Sequence, residues 1–337
     1  MSELKTLSLS AFDRTKLNLK SLSTRKHDFF ISSIVELNEY QGGKQFLKNN
    51  PVIHQIATDM IIARQKKSSI MLMIGAHVIR SGVQRYLIDL LERGYISCIA
   101  TNGAGMIHDF ELSMIGATTE SVAYYIKDGQ FGLWKETGLL NDIIHHAYQQ
   151  NSMAFMGETI GRAIYESNFP FKDISLLNAC YRLGIPITVH VGIGYDIIHE
   201  HPNCDGAATG ALSYNDFLLF TKMIENLENG VVMNFGSAVM APEVFLKALS
   251  MARNVSHAQG KFIHHITTLV CDIRDISFEH QSEPSKDQEQ YYFRPLKTML
   301  VRTIADGGNG YYIKGKHLET IPALWEAINE IETQKTI

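Results

Sequence analysis

This chain of 337 residues has few of the features that would mark a special environment or partner. Its four cysteines (Cys98, Cys180, Cys204 and Cys271) are scattered and contain no Cys-x-x-Cys pair. That excludes a zinc-ribbon spacing and a disulfide framework, so a reduced, cytoplasmic protein is expected. Two of them fall within apolar, strand-like runs, where a small buried thiol is ordinary. No apolar run reaches the roughly 18 residues a membrane-spanning helix needs, and the opening stretch MSELKTLSLSAFDRTK lacks the apolar core of a secretion signal. Neither sign of charge dominates: 31 Lys and Arg face 35 Asp and Glu, a net charge of -4. General attraction to nucleic acid or to an anionic membrane is therefore not expected. No internal repeat or low-complexity segment interrupts the chain.

The material for a core is ample, with 45% hydrophobic residues. Residues 1 to about 25 read as a polar arm, ordered only against a partner subunit. From Asp28 to Lys66 the spacing predicts helix, punctuated by Pro51, with Ile53, Ile56, Ala57, Met60 and Ile61 on one face. Short apolar runs then alternate with amphipathic stretches. Ile70–Ile74 ends in Gly75, and Ile96–Thr101 ends in Asn102-Gly103-Ala104-Gly105. Pro186–Val191 ends in Gly192-Ile193-Gly194, and Val231–Asn234 ends in Phe235-Gly236-Ser237. Further strands are expected within Phe262–Cys271 and at Leu296–Arg302, with a surface loop over Ser277–Gln290 and a hairpin-like turn at Asp306–Gly310. The segment from Lys127 to Phe171 reads as mainly helical. The pattern predicts an α/β fold, Rossmann-like, with a mostly parallel sheet and helices on both faces. Residues 1–66 would form an N-terminal arm and helical extension, and 67–337 the α/β domain.

In such sheets ligands bind beyond the carboxyl ends of the strands. Glycine there lets a phosphate or ribose approach the backbone, and the following helix supplies unpaired N–H donors. The turns at Gly103, Gly192 with Gly194, and Gly236 with Ser237 are accordingly candidate parts of one dinucleotide-sized site. The densest polar cluster runs from His190 to Gly206. Asp196 and Asp205 could hold a cationic amine or ribose hydroxyls, while His199 or His201 moves protons. The same loop admits a second reading, with His199, His201, Cys204 and Asp205 as metal ligands. His108 and Asp109 are expected in the first turn of a helix aimed at the sheet edge, where Asp109 could also serve as a cap. The adjacent pairs His145-His146 and His264-His265 point their side chains apart and carry no such role.

The run Ala76-His77-Val78-Ile79-Arg80-Ser81-Gly82-Val83, followed by Thr101-Asn102-Gly103-Ala104-Gly105 and Asp109, resembles deoxyhypusine synthase. The resemblance continues through Gly184-Ile185-Pro186 with the His190–Asp196 loop, Val231–Val239 and Thr320–Leu324. It implies an NAD-binding Rossmann-like fold, usually a homotetramer, and chemistry that oxidises a polyamine with NAD and transfers an aminobutyl group through an active-site lysine. Matching positions for NAD are His77, Ser81, Asn102, Gly103, Ala104, Asp109, Gly236 and Ser237. Asp196 also matches, at NAD or beside the amine. Lys297 is the nearest counterpart of the family's lysine. The family's triple glycine is Phe235-Gly236-Ser237 here, and its amine-contacting histidines fall at Ala241-Pro242.

Together these readings lead to an NAD-dependent enzyme, acting by imine or aminoalkyl chemistry on a small amine, polyamine or amino acid. Two alternatives stay open: a metal-dependent hydrolase built on the His199–Asp205 loop, and a non-catalytic nucleotide-binding module.

Overall fold

The computed structural model describes residues 10–37, 39–276 and 283–336. Among these residues eight strands occur: β1 (Phe29–Phe30), β2 (Ile70–Ile74), β3 (Cys98–Asn102), β4 (Ala117–Thr118), β5 (Ile187–His190), β6 (Val231–Phe235), β7 (Thr267–Asp272) and β8 (Asn309–Lys314). β1 and β4 form a small antiparallel ribbon. The other six form one all-parallel sheet in the order β5-β3-β2-β6-β7-β8. Counted along the chain, that order is 3-2-1-4-5-6, the doubly wound Rossmann arrangement. The fold is α/β, with helices on both faces of the sheet.

The apolar runs are continuous because both sheet faces are covered. Ile70, Leu72 and Ile74 of β2 point into one core with Ile99, Val231 and Met233. Met71 and Met73 point into the opposite core with Cys98, Ala100 and Val232. The helix Val52–Lys66 sends Ile53, Ile56, Ala57 and Met60 into the first core, so the predicted apolar stripe packs directly on the sheet. All four cysteines are buried thiols.

Three sequence expectations are corrected. Leu296–Arg302 is not a strand: Arg294–Met299 is a short helix with Pro295 in its first turn, and the last strand is Asn309–Lys314, where a hairpin was expected. A short apolar run does not distinguish the two states, and Pro295 presets helical φ. The helix expected from Asp28 begins only at Gly42; the chain before it includes β1 and a 3-10 turn. Most of residues 10–20 are exposed; the arm meets the rest of the chain at Lys20, whose N–H donates to the Leu133 carbonyl at 3.1 Å, and at the buried Leu22 and Arg25. Part of the expected loop, 277–282, lies outside the described residues, as do residues 1–9 of the arm. No described helix is long and apolar enough to cross a membrane.

Candidate functional site

The strand order reverses between β2 and β6, and two glycines let their carboxyl ends approach. A Cβ on Gly75 would lie 2.5 Å from the Gly236 carbonyl oxygen. Gly236 has φ +67°, which an L side chain rarely adopts, and a Cβ there would collide with the ring of His317. A cavity of about 730 Å³ opens at this crevice. That volume lies within the range of about 300–1,000 Å³ usual for ligand sites. His77, Arg80, Ser81 and Gly236 line one side, and Asp272, Arg274, Lys316 and His317 the other. The N-terminal segment closes it with Asp28, Phe29 and Ser33. Gly82, at φ +74°, permits this closure because a Cβ would collide with the Ser33 carbonyl; the Val35 N–H donates to the Gly82 carbonyl at 2.9 Å.

The lining carries three cationic side chains and two neutral imidazoles. Burial holds His317 down to about 4, and burial together with Arg80 lowers His77 as well. His317 Nδ1 is buried without a hydrogen-bond partner. The helix Met240–Ala258 starts just after Gly236, turning its positive end toward the same edge.

A second, smaller cavity of about 240 Å³ lies toward β3 and β5. Arg80 lines both cavities. The smaller one is walled by Arg25, His108, Glu111, Thr119, Glu120 and Asp196, among others. Arg25 and Glu111 form a buried ion pair, with guanidinium-to-carboxylate bonds of 3.0 and 2.6 Å. The hydroxyls of Thr118 and Thr137 also donate to Glu111, at 2.7 and 2.6 Å. Burial pushes the Glu111 carboxyl up, but Arg25 and these hydroxyls outweigh it and leave it below its ordinary value. His108, bonded to Thr118 at 2.9 Å, is held down to about 4 by burial.

Asp196 decides what the Asn102–Ala104 turn does. Asn102 caps the helix Gly103–Ile115 through Gly105, and the Ala104 N–H donates to the Asp196 carboxylate. A Cβ on Gly103 would collide with that carboxylate. Gly103 thus makes room for a side chain of the protein itself. Burial pushes Asp196 up to about 6, with the Ala104 bond pulling the other way.

The remaining candidates are distributed unevenly. His77, Ser81 and Gly236 line the large cavity, and Ala104 and Asp196 the small one. Ser237 is buried beside Gly236, where its hydroxyl accepts from the Ala241 N–H at 3.0 Å. Asp109 is corrected. It lies in the second turn of its helix, and its carboxylate accepts from Ser175 and from the Leu176 and Leu177 N–H groups at 2.5, 2.9 and 3.0 Å. It therefore caps the start of the helix Leu176–Leu183 rather than facing a cofactor. Gly192 packs on Tyr195, Gly194 is exposed at φ +88°, and neither lines a cavity described above.

The His199–Asp205 loop does not converge. His199 Nδ1 accepts from the Gly194 and Asp196 N–H groups at 3.2 and 3.3 Å, which orders the loop around Asp196. The His201 ring is buried and donates to the Gly132 carbonyl at 2.8 Å. Asp205 caps the helix Gly206–Ile224 and meets His145 at 2.8 Å, away from both cavities. Cys204 is buried, and its carbonyl accepts from Arg14. Among the described residues no three His, Cys, Asp or Glu side chains are grouped to hold a metal ion, so the metal-ligand alternative loses its site. Lys297 is 5% exposed, with its ammonium 3.6 Å from the Tyr291 ring centre, and lines neither cavity.

Sequence reasoning missed Arg25, Arg80, Glu111, Glu120, Asp272 and His317. Asp272 ends β7 and was reachable by the strand-end rule, whereas Arg25 and His317 have no local signal.

Residues 54–147 match the family model "Arginine dihydrolase ArgZ-like, C-terminal, Rossmann fold", under a third of the chain. No curated protein matches the chain. Among solved structures, the apo arginine dihydrolase ArgZ from cyanobacteria is 13% identical, with 84% of this chain covered and a TM-score of 0.49. The chain spans 33% of ArgZ's length. AgrE, solved with ornithine and NAD+, is 14% identical over 86% of this chain and 34% of its own, with a TM-score of 0.48. A protein from Entamoeba histolytica assigned as a deoxyhypusine synthase is more distant: 11% identity over 78% of this chain and 76% of its own, with a TM-score of 0.39. The strand order carries the Rossmann assignment by itself, in agreement with the family model over β2 and β3.

Proposed function

We propose that this protein is an NAD-dependent enzyme acting on a small amine or amino acid. One observation carries the reading: a dinucleotide-sized cavity at the sheet's switch point shares Arg80 with a smaller, carboxylate-lined cavity. The larger cavity fits the cofactor's chemistry. Arg80 and Lys316 supply positive charge for a pyrophosphate, Gly236 admits close backbone approach, and the unpartnered His317 Nδ1 is available to a ribose or amide.

Bound NAD would accept a hydride from the carbon that carries the nitrogen. Asp196 stands at the smaller cavity with its carboxyl at about 6, so at neutral pH it is ionised and can take a proton from the substrate's ammonium. His199 positions the Asp196 loop instead of reacting. The smaller cavity's lining contains no lysine, which favours release, hydrolysis or cyclisation of the oxidised product over transfer through an enzyme-bound imine.

Fluorescence titration with NADH tests the reading. Saturable binding is expected, weakened about fivefold in R80A, whose exposed side chain makes no hydrogen bond or ion pair among the described residues. Absence of NADH binding, and of thermal protection by millimolar NAD, would sink it.

A further inference from the structure

One corner of the smaller cavity is built for something that the proton chemistry of Asp196 does not explain. Glu120 holds one carboxylate oxygen fixed: its Oε1 accepts from the Gly132 N–H at 3.0 Å and from the Trp134 indole N–H at 2.9 Å. Its other oxygen, Oε2, is buried with no partner. Next to it Thr119 is 8% exposed, and its hydroxyl is also buried without a partner. Thr119 sits at φ +64°, a conformation a β-branched residue rarely adopts. The Thr119 carbonyl accepts from the Asp28 N–H at 3.2 Å, so the N-terminal segment helps hold the corner in place.

Both residues line the cavity, and both leave polar atoms idle in a place where idle polar atoms are costly. A carboxylate oxygen accepts only, so the missing group must be a donor. The charge around it points the same way. Arg25 is committed to Glu111, though its charge still reaches Glu120, and Glu111 and Glu200 add negative charge beside Glu120; Arg80 stands at the boundary with the larger cavity. His108 is held neutral.

We propose that Glu120 Oε2 and Thr119 Oγ1 form an ammonium-binding corner that takes the primary-amine end of a small ligand. The corner deepens the reading above and rests on it only for the statement that this ligand is the substrate; amine binding itself is measured without dinucleotide.

Calorimetric titration of the full chain with 1,4-diaminobutane is the test, with n-butanol and succinate as neutral and anionic controls. The diamine is expected to bind and both controls to fail. Glu120→Gln, which keeps the Oε1 bonds, should weaken the diamine at least tenfold while NADH affinity stays within twofold. Thr119→Val keeps the shape and removes an unpartnered hydroxyl, so it should weaken the diamine about threefold with an unchanged or higher Tm, a combination that a purely structural role does not produce. Equal diamine affinity in wild type and E120Q, preference for succinate, or no diamine binding at all overturns the proposal. Diamine binding without any NADH binding upholds the corner and removes the dinucleotide reading instead.

Discussion

Two turns on the same edge of the sheet, both marked by small residues, do opposite things. At β2 and β6, Gly75 and Gly236 bring two backbones together and leave a large cavity beyond them. At β3, Gly103 brings the helix start against the protein's own Asp196, so the donors that could have met a phosphate are partly used. Glycine at a strand end therefore reports close approach and not the identity of what approaches. The strand order distinguishes the two: the open turn lies where the order reverses, and the filled one lies one strand to the side.

The largest expected effect tests how the filled side is held. Arg25→Ala leaves the Glu111 charge buried and unpaired, and should cost about 3–5 kcal/mol in urea denaturation. A loss below about 1 kcal/mol would mean that the N-terminal segment does not brace that cavity.

Next comes a matched pair of substitutions. Gly75→Ala forces the β2 and β6 ends apart and should cost about 1–3 kcal/mol, with at least a tenfold loss of NADH affinity. Gly103→Ala displaces the Asp196 carboxylate and should cost about 1–2 kcal/mol, the value of a lost helix cap, leaving NADH affinity unchanged. If the two behave alike toward NADH, the distinction between the turns fails.

The smallest effect is a pH dependence. Burial raises the Asp196 carboxyl from 3.8 to about 6, so its stabilising contribution is complete below about 4 and is lost as pH rises through 6. Asp196→Asn removes that titration and keeps an acceptor for the Ala104 N–H. Wild type should therefore gain about 2 kcal/mol on the variant between pH 7 and pH 4, measured as the difference between their denaturation midpoints. A flat difference would show that Asp196 is solvated and not poised as a base.

Much of the architecture was legible because burial on both faces writes a strand as an unbroken apolar run. Ile70–Ile74 and Val231–Asn234 could be read this way, the second strand running one residue further, to Phe235, and Gly184 marked a helix stop. Leu296–Arg302 was misread because apolarity alone does not separate a short helix from a strand. Of the candidate site residues, His77, Ser81 and Gly236, singled out by the resemblance and the strand ends, line the large cavity. The His199–Asp205 cluster misled because sequence density is not convergence: His201 and Asp205 direct their polar atoms to a backbone carbonyl and a helix end. Asp109 misled in the same way, since its partners at Ser175–Leu177 lie 66 to 68 residues away in the chain.

The sequence by itself determined five of the six parallel strands, the glycine-marked edge and the α/β class, since these follow from local hydrophobic period and backbone freedom. Only the tertiary structure decided which turn stays open, that Arg25 reaches across to Glu111, and that Thr119 and Glu120 share a cavity with Asp196. Those outcomes depend on contacts between segments 75 or more residues apart, and neither composition nor periodicity encodes such contacts position by position.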